Sequence, residues 1–335
     1  MTLTMNKFLN EMEKEKVIMF TEQHLRIATD NYSYLKGSGG FGKVYRGIFS
    51  DGTIVAVKVL HAISEERIEE QFMAEVGTIG KIHHFNLVRL YGFSLEKNFT
   101  ALVYEYMGNG SLDKFLFKPE NALGFEKLYE IAIGTAKGIS YLHEECQQRI
   151  IHYDIKPGNI LLDRNFNAKV ADFGLAKLCN RENTHITFGM LLFEILGRRR
   201  NFEIDLAESQ EWFPMWIWKK VEAEEAEELM VACGINDQNK ETAERMMKVA
   251  LSCVQYKQES RPVMSVVVKM LEGSVVIPKP LNPFPHLVHE ILPLPESGNT
   301  NTSSTVPGFS GMVTESSHEP SSLVVTKFET ESAST

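Results

Sequence analysis

Ile151–Gly174 reads I-H-Y-D-I-K-P-G-N-I-L-L-D-R-N-F-N-A-K-V-A-D-F-G. Asp154 and Asn159 lie five positions apart on a turn closed by Pro157 and Gly158, with Lys156 between them. Asp172 follows the short apolar run Ala168–Ala171 and precedes Phe173-Gly174. One carboxylate suits receipt of a proton from a hydroxyl, and a second carboxylate with an amide oxygen makes a pair of hard ligands for magnesium. Metal-assisted phosphoryl transfer needs such a set. A polar hairpin carrying acids by chance is the competing reading, and it weakens as the rest of the set appears in order.

Upstream, Leu35–Gly47 reads L-K-G-S-G-G-F-G-K-V-Y-R-G, with Gly37, Gly39 and Gly42 set among β-prone residues. Such a hairpin lets backbone N–H groups approach phosphates without Cβ atoms in the way. No βαβ unit follows, so a dinucleotide fold is excluded. Asp51-Gly52 marks a hairpin turn, after which Val55-Ala56-Val57-Lys58 puts Lys58 on a strand. Ser64 is the expected N-cap of the next helix. There Ile68, Phe72, Val76 and Ile79 recur at helical spacing and leave Glu75 at the edge of the apolar stripe. Glu75 is the expected partner of Lys58, rather than half of a surface bridge of little worth.

Downstream, strands are expected at Leu87–Tyr91 and Ala101–Tyr106, and the turn Gly108-Asn109-Gly110 separates a smaller from a larger lobe. Residues 125–145 form an amphipathic helix ending near His143, and His152 reads as a packed core histidine. Beyond Gly189 the pattern is helical. Arg198–Arg200 reads as a cationic cap on the apolar segment Met190–Leu196, and Glu222–Glu228 as one solvated helix face. Ala243–Val254 and Val263–Leu271 are two further amphipathic helices. From about Gly273 the chain turns to Pro, Ser, Thr and Glu, the composition of a disordered tail.

Bulk properties narrow the class. A net charge of −9 argues against a general nucleic-acid binder. Cys146, Cys179, Cys233 and Cys253 are scattered and suit a reducing compartment. No apolar run approaches the roughly 18 to 20 residues of a membrane helix, and Glu11, Glu13 and Glu15 stand where a signal peptide would be apolar. The expectation is a cytosolic piece.

In this order the motifs resemble a eukaryotic protein kinase domain spanning about Tyr34 to Gly273. More narrowly, they resemble the cytoplasmic part of plant receptor-like kinases of the leaf-rust-resistance-like group. The resemblance rests on F-T-E-Q-H-L-R-I-A-T-D-N-Y, the glycine loop, D-I-K-P-G-N-I-L-L-D, D-F-G-L-A-K and E-S-R-P-V-M-S-V-V-V-K-M-L-E-G. It implies an α+β, two-lobed fold: a small antiparallel β lobe with one main helix, and a larger helical lobe. Residues 1–33 would be a juxtamembrane-like lead-in, 34–107 and 108–273 the two lobes, and 274–335 the tail.

It implies ATP and Mg²⁺ as cofactors and phosphoryl transfer to Ser/Thr of protein substrates, Lys156 in D-I-K-P being what Ser/Thr-specific members carry and tyrosine kinases usually lack. The implied catalytic residues are Asp154, Lys156 and Asn159, and the implied metal ligands are Asn159 and Asp172. ATP would be held by Gly37, Ser38, Gly39, Gly40, Phe41, Gly42, Val44, Ala56, Lys58, Glu75, Glu105, Met107 and Leu161. The resemblance also implies that the backbone of Glu105–Met107 meets the adenine, with Tyr104 at the rear of that pocket. Receptor or co-receptor kinases are the implied partners. Location would be cytoplasmic, at the plasma membrane through partners or an upstream segment.

Two departures qualify this. Tyr153 replaces the family's arginine, which removes the cation that would order an activation-loop phosphate. Thr187 runs straight into Phe188-Gly189, so a segment of roughly thirty residues, including the A-P-E motif, is missing against the family pattern. Three consequences are expected. Arg261 loses its glutamate and stands unpaired or exposed, the helix starting near Phe188 loses its first turn and bracing carboxylate, and the peptide-docking surface is gone. An ATP-binding pseudokinase or scaffold is the alternative to the active enzyme, and a longer natural chain is a third reading.

Overall fold

The computed structural model describes residues 17–40, 42–61, 65–178, 184–203 and 212–285. The small lobe is a sheet of six strands: β1 (Ile18–Met19), β2 (Leu35–Gly39), β3 (Gly42–Ile48), β4 (Ile54–Val59), β5 (Leu90–Glu96) and β6 (Phe99–Glu105). Their spatial order is β1-β5-β6-β4-β3-β2, and every pair is antiparallel except β1 with β5. Helix α1 (Glu22–Ala28) covers one face, and α2 (Glu65–Ile79) packs on the other.

The period-2 alternation of β-branched residues in β4 dictates this division. Val55, Val57 and Val59 point toward Leu25 of α1, which is fully buried, while Ala56 and Lys58 point the other way. On the α2 side, Phe72, Val76 and Ile79 join Phe93 and Leu102 in the main core. Burying each such side chain stabilises the lobe by roughly 1.5–3 kcal/mol. Gly42 opens β3 at φ +134°, where a Cβ would lie 2.1 Å from the Val59 carbonyl oxygen, so only glycine closes this hairpin.

The large lobe follows the two-residue strand β7 (Gly110–Ser111) and helix α3 (Asp113–Leu116). Helix α4 (Phe125–Ser140) buries Leu128, Ile131, Ala132, Thr135, Ala136 and Ile139, and continues as a π-helical turn over Tyr141–Glu145. Next come β8 (Ile150–Ile151), β9 (Ile160–Leu162), β10 (Ala168–Val170) and β11 (Lys177–Leu178). β9 pairs with β7 and β10, and β11 pairs with β8. Helices α5 (Thr184–Gly197), α6 (Phe213–Glu222), α7 (Ala226–Ala232), α8 (Lys240–Cys253) and α9 (Met264–Leu271) complete the lobe. The expected α+β architecture of two lobes is therefore the observed one.

Several expectations are corrected. The strand expected at Leu87–Tyr91 begins only at Leu90, because Leu87 and Val88 pair instead with Val170 of β10 and tie the two lobes together. The arginines after α5 do not cap it. Arg198 turns into a left-handed conformation and donates to Leu123 O at 2.6 Å, while Arg199 and Arg200 lie over the rings of Phe213 and Phe117. Aromatic faces at 4.9 and 5.0 Å compete with the helix carbonyls for the guanidinium groups. The acidic run is not one face. Glu224, at φ +61°, breaks it between α6 and α7, and its members pair with Lys220 and Lys240. Ser64 and Cys179 lie outside the described residues.

Helix α5 starts at Thr184, not near Phe188. Thr187 Oγ1 donates to Thr184 O at 3.0 Å, so Thr184–Thr187 supply the turn that the family pattern assigns to missing residues. Arg261, expected unpaired or exposed, is half-buried. It donates to Gln255 O at 2.7 Å and Tyr256 O at 3.2 Å, carbonyls just past the end of α8, which accept a cation in place of a carboxylate.

Two histidines face each other where α5 crosses the end of α4. His143 and His185 are both buried, with ring centroids 5.4 Å apart, and the His143 ring nitrogens find no hydrogen-bond partner among the described residues. Burial first, then His185 and Arg149, hold His143 down to about 3. Burial, Arg261 and Arg149 hold His185 at about 4 against Glu144. Both folded values lie below that of an unfolded histidine, so the stability from the neutral rings is full above about pH 6.5 and is lost as the pH falls toward 4. Between pH 6.5 and 5 each ring is expected to remove about 2 kcal/mol. Urea midpoints at pH 7 and pH 5 should show this, and His143→Phe should roughly halve the drop. An unchanged drop in that variant would assign the acid sensitivity elsewhere.

Candidate active site between the lobes

A cavity of 360 Å³ lies between the lobes. Its roof is the β2–β3 hairpin, which contributes Gly37, Ser38, Gly39, Gly42 and Val44. Ala56, Lys58 and Glu75 line it from β4 and α2, Glu105 and Met107 from the connection between lobes, and Leu161, Asn159 and Asp172 from the large lobe. Gly40, Asp154 and Lys156 are not among the lining residues, and Phe41 lies outside the described residues. Residues that motif spacing does not supply also line the cavity: Lys36, Val88, Ser111, Lys114, Gly158 and Ala171. Ser111 and Lys114 stand shortly after the turn at Gly110, a spacing that could have signalled them. Val88 and Ala171 reach the cavity only through the tertiary pairing of Val88 with β10.

Lys58 Nζ sits 3.0 and 3.1 Å from the two Glu75 oxygens and 3.0 Å from Asp172 Oδ1. Burial works against the Lys58 charge, but Glu75 and then Asp172 more than offset it, and its pKa stands above that of an ordinary lysine. Burial raises Glu75, which is 1% exposed, and the Lys58 ammonium and the Tyr104 hydroxyl oppose that rise. The Tyr104 hydroxyl donates to Glu75 Oε1, so the tyrosine at the rear of the cavity also holds α2 in place. Lys58→Met is expected to leave Glu75 buried without a cation and to lower stability by about 3–5 kcal/mol. Adding Glu75→Gln should restore much of it. A urea midpoint in the single variant equal to that of the unmodified protein would contradict this account.

The connection between the lobes is held by side chains as well. Glu105 Oε1 accepts the Arg89 N–H at 2.8 Å and pairs with Lys169 Nζ at 3.1 Å, and Lys169 also donates to Phe85 O at 2.8 Å. The N–H of Glu105 donates to Arg89 O, and Met107 O accepts from Gly110. The Met107 N–H has no partner among the described residues, which leaves it available to a base in the cavity.

Below the cavity, a single 3₁₀ turn over Pro157–Asn159 folds the loop back on itself. Asn159 Nδ2 donates to Asp154 O at 2.9 Å and Asp154 Oδ2 at 2.8 Å, and Lys156 Nζ lies 2.8 Å from the same Oδ2. With its amide nitrogen so engaged, Asn159 has its side-chain oxygen left over as an acceptor. Asp172 has φ +65°, a left-handed conformation that Asp tolerates better than most residues. His152 is 1% exposed and packs edge-on against Phe173 with centroids 5.0 Å apart. It is a core histidine as expected, yet it also carries hydrogen bonds to both halves of the site: Nε2 to Ala171 O at 3.0 Å, and Nδ1 from the Asp154 N–H at 3.3 Å.

The bracing carboxylate expected to be lost has a replacement of another kind. Thr184 Oγ1 donates to His152 O at 3.2 Å, both residues being buried.

Residues 32–187 match the family model described as protein tyrosine and serine/threonine kinase. The chain is 40% identical over 295 residues to the G-type lectin S-receptor-like serine/threonine-protein kinase SD2-5 of Arabidopsis thaliana, covering 78% of this chain and 36% of that protein. It is 38% identical over 323 residues to Rust resistance kinase Lr10 of Triticum aestivum, covering 85% of this chain and 50% of that protein. A third relative, the PR5-like receptor kinase of Arabidopsis thaliana, is 34% identical over 339 residues, covering 89% of this chain and 50% of its own length. The chain thus spans half or less of each of these relatives. Among the described residues, no helix is long and apolar enough to cross a membrane. The order of the matched segments and the two-lobed architecture agree, and residues 32–187 of the chain belong to the protein tyrosine and serine/threonine kinase family.

Proposed function

We propose that this chain transfers the terminal phosphoryl group of ATP to serine or threonine hydroxyls of protein substrates, within receptor-like kinase signalling. The observation that carries the reading is the Lys58 ammonium, held between Glu75 and Asp172 on one wall of the interlobe cavity, with Asn159 lining the same cavity.

Protein kinases generally use ATP and Mg²⁺. The donor set fits a hard cation: a carboxylate of Asp172, and the amide oxygen of Asn159 left free by its own hydrogen bonds. Magnesium there would neutralise charge on the phosphates. The chain's own groups do the rest. The glycine hairpin and Lys58 hold the phosphates, and the Met107 N–H meets the base. Asp154 Oδ2, kept in place by Asn159, receives the proton of the attacking hydroxyl, and Lys156 beside it supplies positive charge. We read residues 34–107 and 108–273 as the two kinase lobes, with β1 and α1 of the lead-in 1–33 packed into the first and Leu281 and Phe284 of the segment 274–335 packed on the second. In that reading the kinase lies on the cytoplasmic side, with receptor or co-receptor kinases as partners.

A second reading is favoured by one feature: only residues 175–183 separate Gly174 from helix α5. A chain with so short a segment would bind nucleotide and serve as a scaffold without phosphorylating peptides. Intact-mass spectrometry after incubation with Mg-ATP separates the two. Added phosphate on the unmodified protein, and none on Asp154→Asn, is the expected result. No added mass on folded, ATP-binding protein would shift the assignment to the scaffold.

A further inference from the structure

We propose that Thr184 is a positioning residue of this site, fixing the proton-accepting loop and the metal-binding strand together through its hydrogen bond to the His152 carbonyl. The inference rests on the phosphoryl-transfer reading above and adds a residue to it.

Thr184 is the first residue of α5, so no helix carbonyl precedes it by one turn for its hydroxyl to reach. Thr187, three residues later, turns its hydroxyl back to the helix, to Thr184 O. The Thr184 hydroxyl reaches out instead, to His152 O at 3.2 Å, in a place with no exposure to solvent. Its anchor is rigid, since Phe188, Leu191, Leu192 and Phe193 of the same helix are all buried.

His152 passes the restraint on. A carbonyl oxygen only accepts, so the ring nitrogen facing Ala171 O, Nε2, carries the proton. Nδ1 is then bare and accepts the Asp154 N–H. One imidazole therefore ties the backbone of Asp154 to the residue immediately before Asp172. Asp172 itself has a left-handed backbone, which its neighbours hold in place. Without the hydroxyl, the His152 carbonyl is buried with one donor fewer, and the loop is free to shift relative to α5.

The test compares Thr184→Val, which keeps the shape but not the donor, with Thr184→Ser, which keeps the donor. ATP binding is titrated calorimetrically in EDTA and in Mg²⁺, and phosphate incorporation is timed at saturating Mg-ATP. Thr184→Val should bind ATP in EDTA as the unmodified protein does, because the hairpin and the interlobe connection are untouched. It should lose about tenfold of the affinity gained with Mg²⁺ and slow phosphate incorporation by about tenfold or more. Thr184→Ser should restore both.

A Thr184→Val variant equal to the unmodified protein in both readouts overturns the proposal. So does one that loses EDTA-phase binding and melts early, with Thr184→Ser no better, since that marks a packing role. If the unmodified protein gains affinity with Mg²⁺ but incorporates no phosphate, while Thr184→Val still loses the gain, the positioning role stands and the phosphoryl-transfer reading falls. An unmodified protein with no gain from Mg²⁺ would remove both.

Discussion

Asp172→Ala abolishes the magnesium-dependent part of ATP binding, with an expected loss on the order of a hundredfold in affinity for Mg-ATP. Among the described residues, Glu75, Glu105 and Asp172 are the carboxylates that line the cavity, and Glu75 is engaged on both oxygens by Lys58 while Glu105 pairs with Lys169. Removing Asp172 also takes one of the two anions from Lys58, so the ammonium turns wholly to Glu75. Alanine adds a smaller cost of its own, because the position has φ +65°, which disfavours a plain Cβ by roughly 1–2 kcal/mol. Asp172→Asn separates the two effects: asparagine tolerates that backbone and removes only the charge. Calorimetric titration with and without Mg²⁺ should find ATP binding in EDTA nearly unchanged in both variants and the magnesium gain absent in both. Undiminished Mg-ATP affinity in Asp172→Ala would show that the metal ligand lies elsewhere.

The site was more legible in the sequence than the fold around it, and the reason is physical. Glycine at Gly42 and the acids at Asp154 and Asp172 are dictated by backbone geometry and charge, so their spacing survives as a pattern. Lys58 was readable because β4 alternates in strict period 2, which fixes the face on which each side chain emerges. Glu75 was placed at the edge of its helix's apolar stripe, and in fact it is 1% exposed. Periodicity sees the helix alone and not the Tyr104 hydroxyl and Lys58 that meet it.

The failures share a cause. Leu87 and Val88 carry strand-forming side chains, but their partner is Val170, more than eighty positions away, and no local pattern announces it. Arg198–Arg200 follow a helix end, where cations favour the dipole, yet the rings of Phe213 and Phe117 hold two of them. Thr184 is hidden from sequence patterns for the opposite reason. The family pattern has a carboxylate in the first turn of this helix, and a search for a carboxylate does not find a hydroxyl. A donor to a carbonyl does related work with the polarity reversed, and only the three-dimensional arrangement reveals the exchange.

Asp154→Asn is expected to slow phosphate incorporation by about 10²–10⁴-fold while leaving Mg-ATP affinity within a few-fold. The substitution is nearly isosteric, and most of what holds the loop does not depend on the charge. Asn159 Nδ2 still has the main-chain oxygen of residue 154 at 2.9 Å, and His152 still accepts its N–H. An asparagine oxygen can keep the second bond from Asn159. What is lost is the ion pair with Lys156, whose side chain is 57% exposed, and pairs of that kind contribute about 0–1 kcal/mol. The fold should therefore survive, and the variant should differ from the unmodified protein in one respect: it has no carboxylate to take the proton of the attacking hydroxyl. The measurement is intact mass against time at saturating Mg-ATP, beside a calorimetric titration of the same preparation. Equal rates of phosphate addition by variant and unmodified protein would remove Asp154 from the reaction. A rate that falls together with Mg-ATP affinity would mean that the loop had moved, and it would return the weight of the argument to Asn159 and His152, the two side chains that hold Asp154 in place.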